Sequence, residues 1–201
     1  MGYEALCVKH TLQSFLFSES KRVTVLKKNQ KVIDSEVTYS TPWFDIRAKQ
    51  TNFDENPYYC IDTLDYVSVV AITPQNELLM VEQFRPASET VTLELPSGHV
   101  EEDETPVFAA HKELLEETGY KAGNLELISK LLPDTGRLGN KLWGYAAKDV
   151  ECISEPTEPN IRLKKVPTGS IKELILCGEI NHALHIAVIA NFYLSIGFTD
   201  C

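Results

Sequence analysis

Glu113, Glu116 and Glu117 stand three and four positions apart in a segment that opens at Gly98 and closes at Gly119 (GHVEEDETPVFAAHKELLEETGY, 98–120). On a helix, residues at those spacings are neighbours, so three carboxylates would crowd one surface patch and repel one another. A hard divalent cation, which takes oxygen ligands and keeps some of its water, would relieve that repulsion and could grip a diphosphate at the same time. A solvated acidic face is the ordinary explanation of a charge run. Here the two glycines, the spacing and the flanking residues point together past it.

Local signals support the helix that this chemistry needs. Thr105 is an acceptable N-cap and Pro106 suits the first helical position. Gly119 is a good stop, because glycine readily takes the left-handed conformation that ends helices. Val107, Ala110 and Leu114 recur at helical spacing and are expected to face a core.

The same segment resembles the Nudix box, G-x5-E-x7-R-E-U-x-E-E-x-G-U with U apolar. Gly98, Glu104, Glu113, Leu114, Glu116, Glu117, Gly119 and Tyr120 occupy its specified positions, and Lys112 replaces the arginine. An ammonium is a mobile point charge where a guanidinium is a planar fork, so this departure is expected to loosen the positioning of Glu113 and Glu116 without abolishing the site. Upstream, Glu82-Gln83-Phe84-Arg85-Pro86 followed by Glu94-Leu95-Pro96-Ser97-Gly98 is similar to the ADP-ribose and nucleotide-sugar pyrophosphatase subgroup. Downstream, Gly178-Glu179-Ile180-Asn181-His182-Ala183 is similar to that subgroup's G-x-I-x-x-A helix start. The resemblance covers most of the chain beyond Tyr66 and is looser before it.

What the resemblance implies is an α/β fold, a Nudix α-β-α sandwich with mixed strands, preceded by a small antiparallel β unit. It also implies Mg2+-dependent hydrolysis of the diphosphate bond in ADP-ribose or a related nucleoside diphosphate sugar, with Mn2+ as a substitute ion. By this likeness the Ser97 carbonyl, Glu113 and Glu117 are metal ligands, Glu116 helps hold a further ion, and Arg85 contacts the diphosphate. Arginine suits that task, since it gives phosphate oxygens two aligned donors and stays charged. Glu104 is expected to be structural, holding the helix start or pairing with Lys112.

The acidic loop Val150–Pro159 falls where the family carries a glutamate acting as base; Glu158 aligns nearest and Glu155 next, and either is compatible with simple solvation. Trp43 falls where related dimeric enzymes present an aromatic residue to the nucleobase across the subunit boundary. A core or interface tryptophan is an equal alternative there. Pro133–Asn140 (PDTGRLGN) reads as a flexible loop on the substrate side. His111, His182 and His185 read as packing or surface residues, with no acidic ligand expected beside the latter two. GDP-mannose or a UDP-sugar is the nearer alternative substrate, and a non-catalytic nucleotide-sensing domain the more distant one.

Around the motif, the elements divide at Asn52–Pro57, giving a β unit over 1–56, expected to serve dimerisation and base binding, and a hydrolase domain over 57–201. Alternating or β-branched runs suggest strands at Arg22–Leu26 and Val32–Tyr39 in the first part. Further strands are expected at Tyr66–Thr73, Glu77–Phe84, Thr92–Leu95, Leu125–Leu131, Lys141–Ala147 and Ile161–Val166, the first two joined as a hairpin at Pro74-Gln75-Asn76. Helices follow near Ser170–Gly178 and Asn181–Ile196.

The 201 residues are 43% hydrophobic, enough for a proper core. A net charge of -10 argues against general nucleic-acid or anionic-membrane binding, so an anionic substrate would require bound metal and placed arginines. Five scattered cysteines without a C-x-x-C pair suggest reduced thiols in a cytoplasmic protein. The opening MGYEALCVKH lacks a long apolar stretch. Residues 181–198 are apolar but interrupted by His182, His185 and Asn191, as in a buried helix more than a membrane span. A homodimer is expected from the resemblance alone.

Overall fold

The structure is a computed structural model that describes residues 29–197. The strand expected at 22–26 lies outside the described residues. Three strands, β1 (Val32–Ser40), β2 (Asp45–Thr51) and β3 (Tyr58–Asp62), form an antiparallel sheet in that order. Its third strand, on the far side of Asn56, pairs with β2.

Two further sheets build the body. One is mixed, with β7 (Ser97–His99), β4 (Tyr66–Ala71), β9 (Leu142–Cys152) and β8 (Tyr120–Leu131) in that order, and only the β4–β9 pairing is parallel. The other is antiparallel, with β10 (Ile161–Pro167) and β6 (Thr90–Glu94) flanking β5 (Glu77–Arg85). The expected turn between β4 and β5 exists: Thr73 N–H donates to Glu77 O at 2.9 Å, and Asn76 takes φ 63°. The two strands do not continue as a hairpin, however. After the Ile72–Leu78 bridge they diverge into different sheets.

Strand alternation produces two cores. Val67, Val69 and Ala71 of β4 and Leu79 of β5 join Ala109, Ala110 and Leu114 of helix α1 (Pro106–Thr118). Val70, Leu78 and Met80 point the other way, toward Ile171 of α2 (Ile171–Leu176) and Val188 and Ile189 of α3 (Ala183–Ser195). Helices therefore cover both sides of the strands, the expected sandwich. Leu114 has no exposed surface, so Leu114→Ala would cost ~2–5 kcal/mol and loosen the helix that carries the glutamates.

Helix α1 begins and ends as its sequence signals require. Thr105 Oγ1 accepts from Phe108 N, and Gly119 takes φ 74°. Val107 departs from expectation: it lies in the first turn and stays 40% exposed, while the buried stripe starts at Ala109. No helix among the described residues is long and apolar enough to cross a membrane.

Candidate active site

Arg85 closes β5 and Glu94 closes β6 on the neighbouring strand. Arg85 Nε donates to Glu94 Oε1 at 2.8 Å and Nη2 to Oε2 at 2.6 Å. Thr92 Oγ1, two residues earlier on the same face, donates to Oε1 at 2.6 Å. Burial would raise this carboxyl, but the hydrogen bonds from Arg85 and Thr92 outweigh it and hold it down to about 2. Glu94 is fully buried and Arg85 is partly exposed, so the guanidinium keeps one edge free for a cleft that it lines with Ser97 and Gly98.

The box residues meet where β7 passes α1. Ser97 N donates to Glu117 Oε2 at 2.9 Å. A Cβ on Gly98 would lie 2.3 Å from the carboxyl carbon of Glu113, so only glycine leaves that carboxylate its place. Lys112 Nζ spans both oxygens of Glu104 at 2.8 and 3.0 Å, and is 3.9 Å from Glu113 Oε1. The expected Glu104–Lys112 pairing is thus present.

Burial pushes the Glu113 carboxyl up to about 7, with the charges of Glu116 and Glu158 adding to it and Lys112 opposing. Burial also pushes Glu117 up to about 8; the Ser97 N–H opposes this and the Glu113 charge adds to it. One part-buried and one buried carboxylate that cannot both ionise comfortably, beside a cradle that a methyl group would fill, form an oxygen-donor set suited to a divalent cation.

The acidic loop after β9 is tied to the far end of α1. Ile153 N and Ser154 N donate to Gly119 O, and Thr157 N and Glu158 N donate to Glu116 O at 2.8 and 3.4 Å. A Cβ on Gly119 would come 2.0 Å from Ser154 O, so the box's last glycine both ends the helix and admits the loop. Glu158 comes close enough for its charge to act on Glu113. Pro133–Asn140 is also tied down: Ile61 N donates to Arg137 O at 2.8 Å, and Asn140 Nδ2 to Leu64 O at 2.7 Å.

Trp43 is 73% exposed in the β1–β2 turn, so it is no core tryptophan within the chain. It lines a second cleft with Phe44, Asp62 and Glu102, apart from the one at Arg85. The structure does not bring Trp43 to Arg85 among the described residues.

Sequence reading passed over one buried cluster. Contrary to expectation, His182 and His185 have an acidic neighbour, because β6 brings Glu94 Oε2 to 3.7 Å from His185 Nδ1. Potential ligand atoms of Glu94, His182 and His185 fall within 4.8 Å of one another, a grouping that could hold a metal ion. Its atoms are already engaged, however. Glu94 serves Arg85 and Thr92, and His185 Nδ1 accepts from Leu95 N at 3.1 Å. Sequence spacing cannot reveal a contact across 90 residues. The available signal was Glu94 itself, an acid on the same strand face as Thr92 and flanked by Leu93 and Leu95.

Comparisons with known proteins agree with this geometry. Residues 63–160 match the family profile of the NUDIX domain. An ADP-ribose pyrophosphatase of Bacillus subtilis (strain 168) is 34% identical over 92 residues, which are 46% of this chain and 50% of that protein. A methanol dehydrogenase activator of Bacillus methanolicus is 38% identical over 82 residues, 41% of this chain and 44% of that one. An ADP-sugar pyrophosphatase of Mus musculus is 38% identical over 76 residues, 37% of this chain and 35% of that one. The chain thus spans half or less of the length of these curated relatives. A crystal structure of an ADP compounds hydrolase superposes with a TM-score of 0.73 over 86% of this chain and 98% of that one; at 20% identity this likeness speaks for the fold alone. With the glutamates gathered on α1 and the sandwich around them, residues 63–160 of the chain are similar to the NUDIX domain.

Proposed function

We propose that the protein hydrolyses the diphosphate bond of ADP-ribose or a related nucleoside diphosphate sugar, giving a nucleoside monophosphate and a sugar phosphate. The observation that carries this reading is the part-buried Glu113 and buried Glu117 beside Ser97 and Gly98, which with Arg85 line a cleft. Relatives named for ADP-ribose and ADP-sugar support the substrate class.

Glu113, Glu117 and the Ser97 carbonyl would hold Mg2+, with Glu116 helping to hold a further ion. Bound there, the ion would neutralise charge on the diphosphate and make water a better nucleophile. Arg85 steadies the phosphate oxygens with the N–H groups that Glu94 leaves free. Glu158, held beside α1 by its own backbone, takes the proton from the attacking water.

The active form in this reading is a cytoplasmic homodimer, in which the sheet of β1, β2 and β3 packs on the second copy and Trp43 stacks on the nucleobase. All nine residues of β1 are exposed, and the four large apolar ones among them, Val32, Ile33, Val37 and Tyr39, favour association. Glu117→Gln should lower turnover of ADP-ribose in Mg2+ by at least about a hundredfold while the fold persists. Near-native turnover by that variant would overturn the metal assignment. Sedimentation showing only a monomer at working concentration would remove the dimer.

A further inference from the structure

The cleft at Arg85 has a volume of ≈ 540 Å³, and its far wall carries His182 and His185. The main chain dictates where the protons on these rings sit. Leu95 N–H donates to His185 Nδ1 at 3.1 Å, and His185 N–H donates to His182 Nδ1 at 3.4 Å, capping α3. Burial keeps both rings less basic than usual, and they stack with centroids 3.9 Å apart. A neutral imidazole that accepts at Nδ1 carries its proton on Nε2, so each ring's remaining nitrogen is a donor.

That arrangement works against a metal ion, which needs lone pairs, and for an oxygen-rich ligand. No carboxylate is among the described residues that line the cleft; its polar groups include Arg85 and these histidines, and Leu138 and Leu184 supply apolar wall. The second cleft, with Trp43 and Phe44, offers the flat apolar faces that a nucleobase wants. The donor-lined cleft therefore suits the other half of the substrate.

We propose that His182 is a specificity-determining residue, its Nε2–H donating to oxygens of the sugar phosphate half of the substrate, with His185 stacked behind it to fix the ring. This rests on the hydrolase reading for the identity of that half. Its content is a binding subsite that can be measured without turnover.

Calorimetric titration of the full chain in Mg2+ with ribose 5-phosphate and, separately, with AMP provides the test. His182→Asn keeps an N-cap acceptor for α3 but removes the imidazole donor. It should weaken ribose 5-phosphate binding about tenfold, the worth of one good hydrogen bond, and leave AMP binding unchanged. His182→Gln, whose longer side chain carries its amide N–H farther toward the place of Nε2 than asparagine can, should recover part of the loss. The proposal is overturned if the wild-type chain does not bind ribose 5-phosphate, if His182→Asn leaves its affinity intact, or if AMP weakens equally. Failure of the wild-type chain to hydrolyse ADP-ribose would count against the hydrolase reading alone, since the titration uses no turnover.

Discussion

Arg85 and Glu94 form a two-pronged ion pair at 2.8 and 2.6 Å in which one member is fully buried and the other partly exposed. The pair is therefore unequal under mutation. Arg85→Met leaves a buried carboxylate without its main partner and should cost ~3–5 kcal/mol. Glu94→Gln leaves a guanidinium that can still reach water, and should cost only ~1–2 kcal/mol. The folded Glu94 carboxyl sits at about 2, below its ordinary 4.5, so its contribution is present above pH 4.5 and is lost as pH falls toward 2. Denaturant titrations should show the gap between wild type and Glu94→Gln closing over that interval. Equal losses from the two variants at neutral pH would contradict this account.

Glu113 and Glu117 predict the opposite pH dependence. Their carboxyls stand at about 7 and about 8 in the folded chain, so between pH 4.5 and 8 the folded state binds more protons than the unfolded state does. Stability of the metal-free protein should then fall as pH rises through that window. Mg2+ should raise the melting temperature more at pH 8 than at pH 6, and Glu117→Gln should flatten the metal-free profile. A metal-induced shift independent of pH would argue that these two carboxylates do not hold the ion.

Much of this was legible in the sequence because it is local. The Thr105–Pro106 start, the Gly119 stop and the glutamates of α1 all lie within one helix and its caps, where spacing alone fixes neighbours. The apolar runs of β4 and β5 were equally plain. Their separation into different sheets was not, since a turn at Asn76 looks the same whether the strands continue together or diverge. Long-range contacts were likewise hidden: Glu94 meeting His185, and the acidic loop closing on Glu116 O through Thr157 and Glu158. Val107 shows the limit of periodicity, because a matching position in the first turn can still remain in solvent.

The box's two glycines should fail differently. Gly98→Ala places a methyl group against the movable end of Glu113, so the fold should survive with a loss of ~1 kcal/mol or less while Mg2+ affinity drops. Gly119→Ala sets a Cβ 2.0 Å from the Ser154 carbonyl at φ 74°, where the obstacle is backbone and the conformation itself is strained. It should cost at least about 2 kcal/mol and displace the loop bearing Glu158. Melting curves with and without Mg2+ separate the two; similar melting temperatures for both variants would refute the distinction.

Lys112 reaches both Glu104 oxygens and approaches Glu113, so it does two things that the family's arginine would also do. One is electrostatic: its charge opposes the rise of the Glu113 carboxyl. The other is mechanical, tying Glu104, which precedes the helix, to its second turn. Lys112→Arg keeps both, and Mg2+ affinity should stay within about twofold of wild type. Lys112→Gln removes the charge, which lets Glu113 hold its proton to higher pH. Mg2+ affinity should therefore fall about three- to tenfold at pH 7 and by less at pH 9, where Glu113 ionises in either case. Isothermal titration with Mg2+ at the two pH values distinguishes the contributions: an equal deficit at both would mean that Lys112 acts through the tie to Glu104 and not through its charge on Glu113.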